Sequence, residues 1–261
     1  MIAPQPVRKT RPNGLSSRRC RSPSKLQPKP ILVVVKVNGT AVSIYIDSLL
    51  DEHSLIAVQD SLSKPSLFGD GKATAGIMAE RVKSNLQADK HAPELIAAQK
   101  LIEKSLLANP IVKKAVYPSR LAKIMFSRYQ PGMSYGEHVD EAVINNVRTD
   151  IAFTLFLSDP NSYEGGELVI LRPDGHDSIK LPAGGLYLYS ADSIHRVNPV
   201  TSGLRLAAVG WLQSKVRLAQ HRQILSDINH ALLLLPDNES NKTARLQFLK
   251  VKNNLERVWC D

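Results

Sequence analysis

Cysteine is nearly absent from this chain. Only Cys20 and Cys260 occur, one near each end, which excludes a disulfide framework and the paired thiolate spacing of a structural zinc site. A reducing compartment, the cytoplasm, is the expected location. Long apolar runs are missing too. Ile31 to Val35 and Ala231 to Leu235 are the longest candidates, far short of the roughly 18 residues needed to span a bilayer, so no membrane partner is expected. Aromatic residues make up only 5% of the chain, too few for the stacking platforms of a single-stranded nucleic-acid binder.

Acidic residues are absent from the first 30 positions, which carry Arg8, Lys9, Arg11, Arg18, Arg19, Arg21, Lys25 and Lys29. These eight charges account for most of the formal +10; residues 31–261 hold 26 Lys and Arg against 24 Asp and Glu, about +2. The remainder therefore lacks the electrostatic footprint of a polyphosphate ligand, and no nucleic-acid partner is expected. Six prolines among Arg, Ser and Lys cannot bury enough apolar surface to offset their ordering entropy. Residues 1–30 read as a disordered basic extension, with a transit peptide or a start codon placed too far upstream as alternatives.

What is present reads as a folded domain, with 43% hydrophobic and 22% charged residues. Between Ile46 and Gln99 the signals are helical: Leu49, Leu50, Leu55, Ile56 and Val58 mark one amphipathic stretch and residues 77–90 a second. A glycine-punctuated turn at 68–76 separates them, with Thr74 as a candidate cap, and Pro93 opens a further helix to about Leu107. Beyond Leu121 short β-rich runs follow at 151–157, 167–171, 186–189, 197–200 and 204–212, broken by Asp-Pro, Gly-Gly and Pro-Asp-Gly steps. These favour an antiparallel sandwich or barrel. Residues 214–234 return to a helical pattern.

The chemistry gathers at a few positions. His138 and Asp140 lie two residues apart just after the loop 129–135; in an extended segment that step points both side chains to one face. Alone, the pair fits a structural or surface role as well as a metal. His195, 57 residues on and at the start of another β-like run, could complete a two-His, one-carboxylate triad, which leaves open positions on an octahedral ferrous ion. Arg205 sits in L-R-L-A-A-V-G-W-L, apolar on both alternating faces, so its charge needs a partner. An internal carboxylate or a bound anionic ligand would serve. The other five histidines lack ligand spacing, and the Gly-Gly pairs at 165 and 184 lack a nucleotide-site context, reading as turns.

The strings R-Y-Q-P-G-M-S-Y-G-E-H-V-D, R-T-D-I-A-F-T-L-F-L-S-D-P-N-S-Y-E-G-G-E-L, L-P-A-G-G-L-Y-L-Y and S-I-H-R-V-N-P-V-T-S-G-L-R-L-A strongly resemble the bacterial PKHD-type hydroxylases, relatives of prolyl 4-hydroxylase. Upstream F-G-D-G-K-A-T-A-G and V-K-S-N-L-Q extend the likeness, which covers roughly residues 46–230. The resemblance implies an α+β protein with a double-stranded β-helix (jelly-roll) core at 126–214, flanked by an N-terminal helical region at 31–125 and a C-terminal helical region at 215–261. It implies Fe(2+) held by His138, Asp140 and His195, and 2-oxoglutarate held by Arg205 with Tyr129 in contact. L-ascorbate, returning over-oxidised iron to the ferrous state, is a further implied cofactor. The implied reaction hydroxylates a substrate while 2-oxoglutarate and O2 become succinate and CO2. That substrate is unknown, a peptidyl residue or a small molecule, and the oligomeric state is open. A non-enzymatic β-helix protein that binds a metal or ligand is the competing reading. Ala152 stands where a small hydroxyl residue is expected.

Overall fold

The computed structural model describes residues 33–38, 41–74, 80–89 and 91–261. The extension 1–30 and the beginning of the helix expected from 77, with its proposed cap interaction at Thr74, lie outside them. In chain order the strands are β1 (Val33–Asn38), β2 (Ala41–Ile46), β3 (Phe68–Asp70), β4 (Lys83–Ser84), β5 (Leu86–Ala88), β6 (Pro118–Tyr129), β7 (Ser134–His138), β8 (Val143–Ile144), β9 (Val147–Arg148), β10 (Ile151–Phe156), β11 (Tyr163–Gly165), β12 (Leu168–Arg172), β13 (Gly175–Ile179), β14 (Leu186–Ser190), β15 (His195–Val197), β16 (Val200–Gly203) and β17 (Arg205–Ser214). Among the described residues the α-helices with both ends described are α1 (Glu52–Ser61), α2 (Pro93–Ala108), α3 (Pro110–Val116), α4 (Ala219–Leu234) and α5 (Lys242–Trp259). None is long and apolar enough to cross a membrane.

Every strand pair is antiparallel. Eight strands form one sheet in the order β1-β2-β14-β10-β17-β6-β5-β3, and five form another, β13-β12-β15-β7-β4; β11-β16 and β8-β9 are two-stranded ribbons. The central strand β10, I-A-F-T-L-F, is buried on both faces, so it carries no apolar-polar alternation. Its odd residues Ile151, Phe153 and Leu155 join a core with Ile44, Ile46, Leu95, Ile102 and Leu106. Its even residues Ala152 and Phe156 join a second core with Leu168, Ile170, Ile179, Tyr189 and Trp211 from both sheets. Helix packing thus takes one face of the large sheet, and the space between the sheets takes the other.

Helix α2 buries Leu95, Ala98, Ile102 and Leu106, a single stripe at helical spacing. Asn109 ends it and caps α3, its side-chain oxygen accepting from the backbone N–H of Ile111 at 2.9 Å and of Val112 at 3.3 Å. Asp51 caps α1 in the same way, accepting from Ser54 N–H at 2.7 Å.

Three expectations need correction. Residues 31–125 are not a helical region throughout: β1 to β5 lie within them and β6 starts at Pro118. The stretch 77–90, read as helix, contains β4 and β5. The run 197–200, read as one strand, is split, with Val197 closing β15 and Val200 opening β16.

Candidate active site

Antiparallel pairing of β15 with β7 sets His195 directly opposite His138, with ring centroids 4.2 Å apart. Asp140 follows two residues beyond the end of β7, and its Oδ1 lies 3.8 Å from His195 Nε2. The three side chains offer ligand atoms within 4.8 Å of one another. The H-x-D pair and the distant histidine, separate in sequence, therefore converge.

Each imidazole is oriented the same way. His138 Nδ1 meets the Gly136 carbonyl at 2.8 Å and His195 Nδ1 meets the Ser193 carbonyl at 3.0 Å. A carbonyl can only accept, so Nδ1 carries the proton in both rings and the Nε2 lone pairs are left for a metal. Tyr135 stacks on His138 at 3.6 Å, and Tyr189 meets His195 edge-on at 5.1 Å. Gly136 is needed for the local approach of β4 to β7: its N–H donates to Val82 at 2.8 Å, and a Cβ would stand 2.8 Å from Val82 Cβ.

The electrostatics favour a cation. Burial, reinforced by His195 and Lys83, lowers the His138 pKa to about 3, so the ring is neutral at physiological pH. Asp140 is pushed above the usual carboxylate range by burial, with His195 and the nearby Trp211 indole pulling the other way. That indole N–H falls short of hydrogen-bond geometry, since both Trp211 Nε1 and Asp140 Oδ2 are buried without a partner. Two imidazole Nε2 atoms and an unsatisfied carboxylate oxygen fit a divalent ion such as ferrous iron.

Arg205 opens β17 opposite Tyr129, the last residue of β6. It is 1% exposed and pairs with no carboxylate among the described residues. Its guanidinium lies 5.0 Å from the Tyr129 ring and 5.5 Å from the Phe156 ring, and its Nε is buried without a partner. Among the described residues the internal ion pair considered from sequence is thus not formed. Burial raises the Tyr129 phenol pKa, against the opposing effects of Arg205 and Asn85. All five residues singled out from sequence line one cavity of about 110 Å³.

Residues 124–213 match the 2OG-Fe(II) oxygenase superfamily. A PKHD-type hydroxylase of Picosynechococcus sp. is 42% identical over 217 residues, spanning 83% of this chain and 98% of its own length. The chain belongs to the PKHD-type hydroxylases. Members from Maricaulis maris (43% over 195 residues, 74% of this chain and 88% of that protein) and Paraburkholderia phytofirmans (39% over 224 residues, 84% and 99%) are similarly close. This hydroxylase is accordingly a 2-oxoglutarate-dependent dioxygenase using Fe(2+) and 2-oxoglutarate.

Sequence reasoning missed other residues of the hydroxylase's cavity. Lys83, Asn85 and Gln87 line it; their polar-every-second-residue spacing is a strand signature that went unread inside a presumed helix. Gly166 is more than a turn residue. At φ +67°, a Cβ on it would stand 2.9 Å from Arg205 Cδ, so glycine leaves the arginine its place. Ala152 lies in the cavity wall opposite Trp211 and Tyr189.

Proposed function

We propose that His138, Asp140 and His195 ligate the iron, that Arg205 receives the distal carboxylate of 2-oxoglutarate, and that Tyr129 contacts the same carboxylate. The observation carrying this reading is a buried guanidinium, without a carboxylate partner among the described residues, in the same cavity as two Nε2 atoms and an unpartnered carboxylate oxygen. A dicarboxylic 2-oxo acid satisfies both ends, its planar carboxylate matching the guanidinium fork. The two sheets are then the faces of a double-stranded β-helix holding the cosubstrate between them.

Iron with 2-oxoglutarate supplies the oxidising chemistry when bound. The chain's part is placement and exclusion. His138 and His195 stay in one tautomer through their carbonyl contacts, Tyr135 and Tyr189 restrict ring rotation, and burial of Asp140 and Arg205 strengthens their interactions by keeping water away. Ascorbate would supply the reducing equivalents that return over-oxidised iron to the ferrous state. The hydroxylated substrate, a peptidyl residue or a small molecule, enters beside Val139 and Glu141, which line the cavity next to the ligands.

Anaerobic addition of iron(II) and 2-oxoglutarate should give the weak visible charge-transfer band of the chelate, lost in His138→Ala and in Arg205→Ala. Folded, iron-loaded wild type without that band would overturn the assignment and favour a non-enzymatic binding protein.

A further inference from the structure

Strand register lines up a third residue with the proposed cosubstrate anchor. Strand β5 pairs with β6 through Leu86 opposite Arg128 and Gln87 opposite Ser127; one step further, Asn85 falls opposite Tyr129, which itself faces Arg205 on β17. The period of two puts Gln87 and Ser127 on the same face, and both line the cavity with Asn85, Tyr129 and Arg205.

The two polar rows differ in one respect. Gln87 Nε2 donates to Ser127 Oγ at 2.9 Å. Asn85 is only 3% exposed, yet among the described residues its Nδ2 and Oδ1 both lack hydrogen-bond partners. The carboxamide lies near enough to Tyr129 to act on its phenol, but outside hydrogen-bond geometry. A buried amide with neither end satisfied is costly, and native chains rarely keep one without a use for it.

Space is reserved for this side chain. A Cβ at Gly71 would overlap Asn85 Oδ1 and stand 2.9 Å from the Asn85 backbone oxygen, and Gly71 N–H donates to that same oxygen at 2.9 Å. Glycine at 71 therefore lets the turn after β3 close over residue 85.

We propose that the Asn85 carboxamide, just before β5, is a third donor to the distal carboxylate of 2-oxoglutarate, completing a row with Tyr129 on β6 and Arg205 on β17. The proposal rests on the reading that Arg205 anchors that carboxylate. A planar carboxylate has about four lone-pair sites, more than one guanidinium fork fills, and an amide N–H to an anion is a charge-assisted bond.

The test uses the full chain loaded with iron(II) under anaerobic conditions. Affinities are measured by calorimetric titration for 2-oxoglutarate and for 2-oxobutyrate, which has the same chelating head but no distal carboxylate. Asn85→Ala should weaken 2-oxoglutarate about tenfold or more, as expected for a lost bond to a charged group, and leave 2-oxobutyrate unchanged. Asn85→Asp, close in shape but anionic, should weaken 2-oxoglutarate more and again spare 2-oxobutyrate. Equal losses for both acids would make Asn85 a structural residue or a neighbour of the chelating head. Unchanged 2-oxoglutarate affinity in Asn85→Ala would hand the amide to the substrate instead; either result overturns the proposal. Arg205→Met, run alongside, separates the two levels: a selective loss of 2-oxoglutarate there with none in Asn85→Ala sinks only the Asn85 assignment, whereas no selective loss in Arg205→Met sinks the anchor itself.

Discussion

Replacing Arg205 with methionine should make the protein more stable without cosubstrate and much less responsive to it. The wild-type guanidinium is 1% exposed, pairs with no carboxylate among the described residues, and keeps a buried Nε without a partner. Burying such an ion costs several kcal/mol, and the stranded N–H adds about 1–3 kcal/mol. Contacts with the Tyr129 and Phe156 rings return only ~0.5–2 kcal/mol each. An uncharged side chain of comparable length should therefore gain about 1–3 kcal/mol, raising Tm by roughly 2–10 °C for a folded unit of this size. With 2-oxoglutarate at a hundred times its Kd, wild type should gain about 2.7 kcal/mol. The variant should gain less than about 1 kcal/mol, since deleting one side of a buried charge pair costs ~2–5 kcal/mol of binding. Differential scanning calorimetry of both proteins, loaded with manganese(II) as a redox-inert stand-in and scanned with and without 2-oxoglutarate, reads the whole pattern. A variant that melts below wild type in the absence of 2-oxoglutarate, or that gains as much from it, would refute the reasoning.

Two more perturbations probe the neighbourhood. Gly166→Ala places a Cβ at φ +67°, 2.9 Å from both Arg205 Cδ and Val200 Cγ2, so it should cost at least ~1 kcal/mol of strain and weaken 2-oxoglutarate about tenfold while iron affinity holds; unaltered 2-oxoglutarate titrations would show that Gly166 does not set the arginine's position. Burial lowers the Lys83 pKa from 10.5 to about 8, so above about pH 8 the folded chain has released a proton that the unfolded chain keeps until about 10.5, and stability should rise across that window by up to ~3 kcal/mol. Urea unfolding at pH 7.5 and pH 10 should show this rise in wild type and not in Lys83→Met; equal slopes in both would remove Lys83 as its source.

The site was readable where its chemistry follows from short spacing or from an incongruous charge. His138 and Asp140 share a face because they are two residues apart, and Arg205 stands out because everything around it is apolar. The convergence of His195 with them depends on β15 pairing with β7, a contact 57 residues distant that no local pattern encodes. Residues 83–87 were missed for a different reason. Hydrophobic periodicity assumes that the inward face is the apolar one, but here the inward face holds Lys83, Asn85 and Gln87 because it lines a cavity. The period of two is present with its polarity inverted. Strand β10 fails the same test from the other side: with both faces buried it loses its alternation, and only its β-rich composition marked it.

The distribution of unsatisfied groups bears on how this enzyme assembles. Among the described residues eight buried side-chain atoms lack partners, and five of them, two on Asn85 and one each on Asp140, Arg205 and Trp211, belong to side chains lining the one cavity. A folded chain ordinarily spreads such defects thinly, because each costs ~1–3 kcal/mol. If the metal and the dicarboxylate bind where proposed, the ligands would complete the polar layer between the sheets. On the proposed assignment metal and cosubstrate would each relieve part of the same strain, and 2-oxoglutarate would contact both the metal and Arg205. Their binding should therefore be mutually reinforcing, and reciprocity requires 2-oxoglutarate to tighten metal binding by the factor by which metal tightens 2-oxoglutarate. The unfavourable charge at position 205 would make that coupling selective. A 2-oxo acid without a distal carboxylate can occupy the metal, but it leaves the guanidinium as unsatisfied as before.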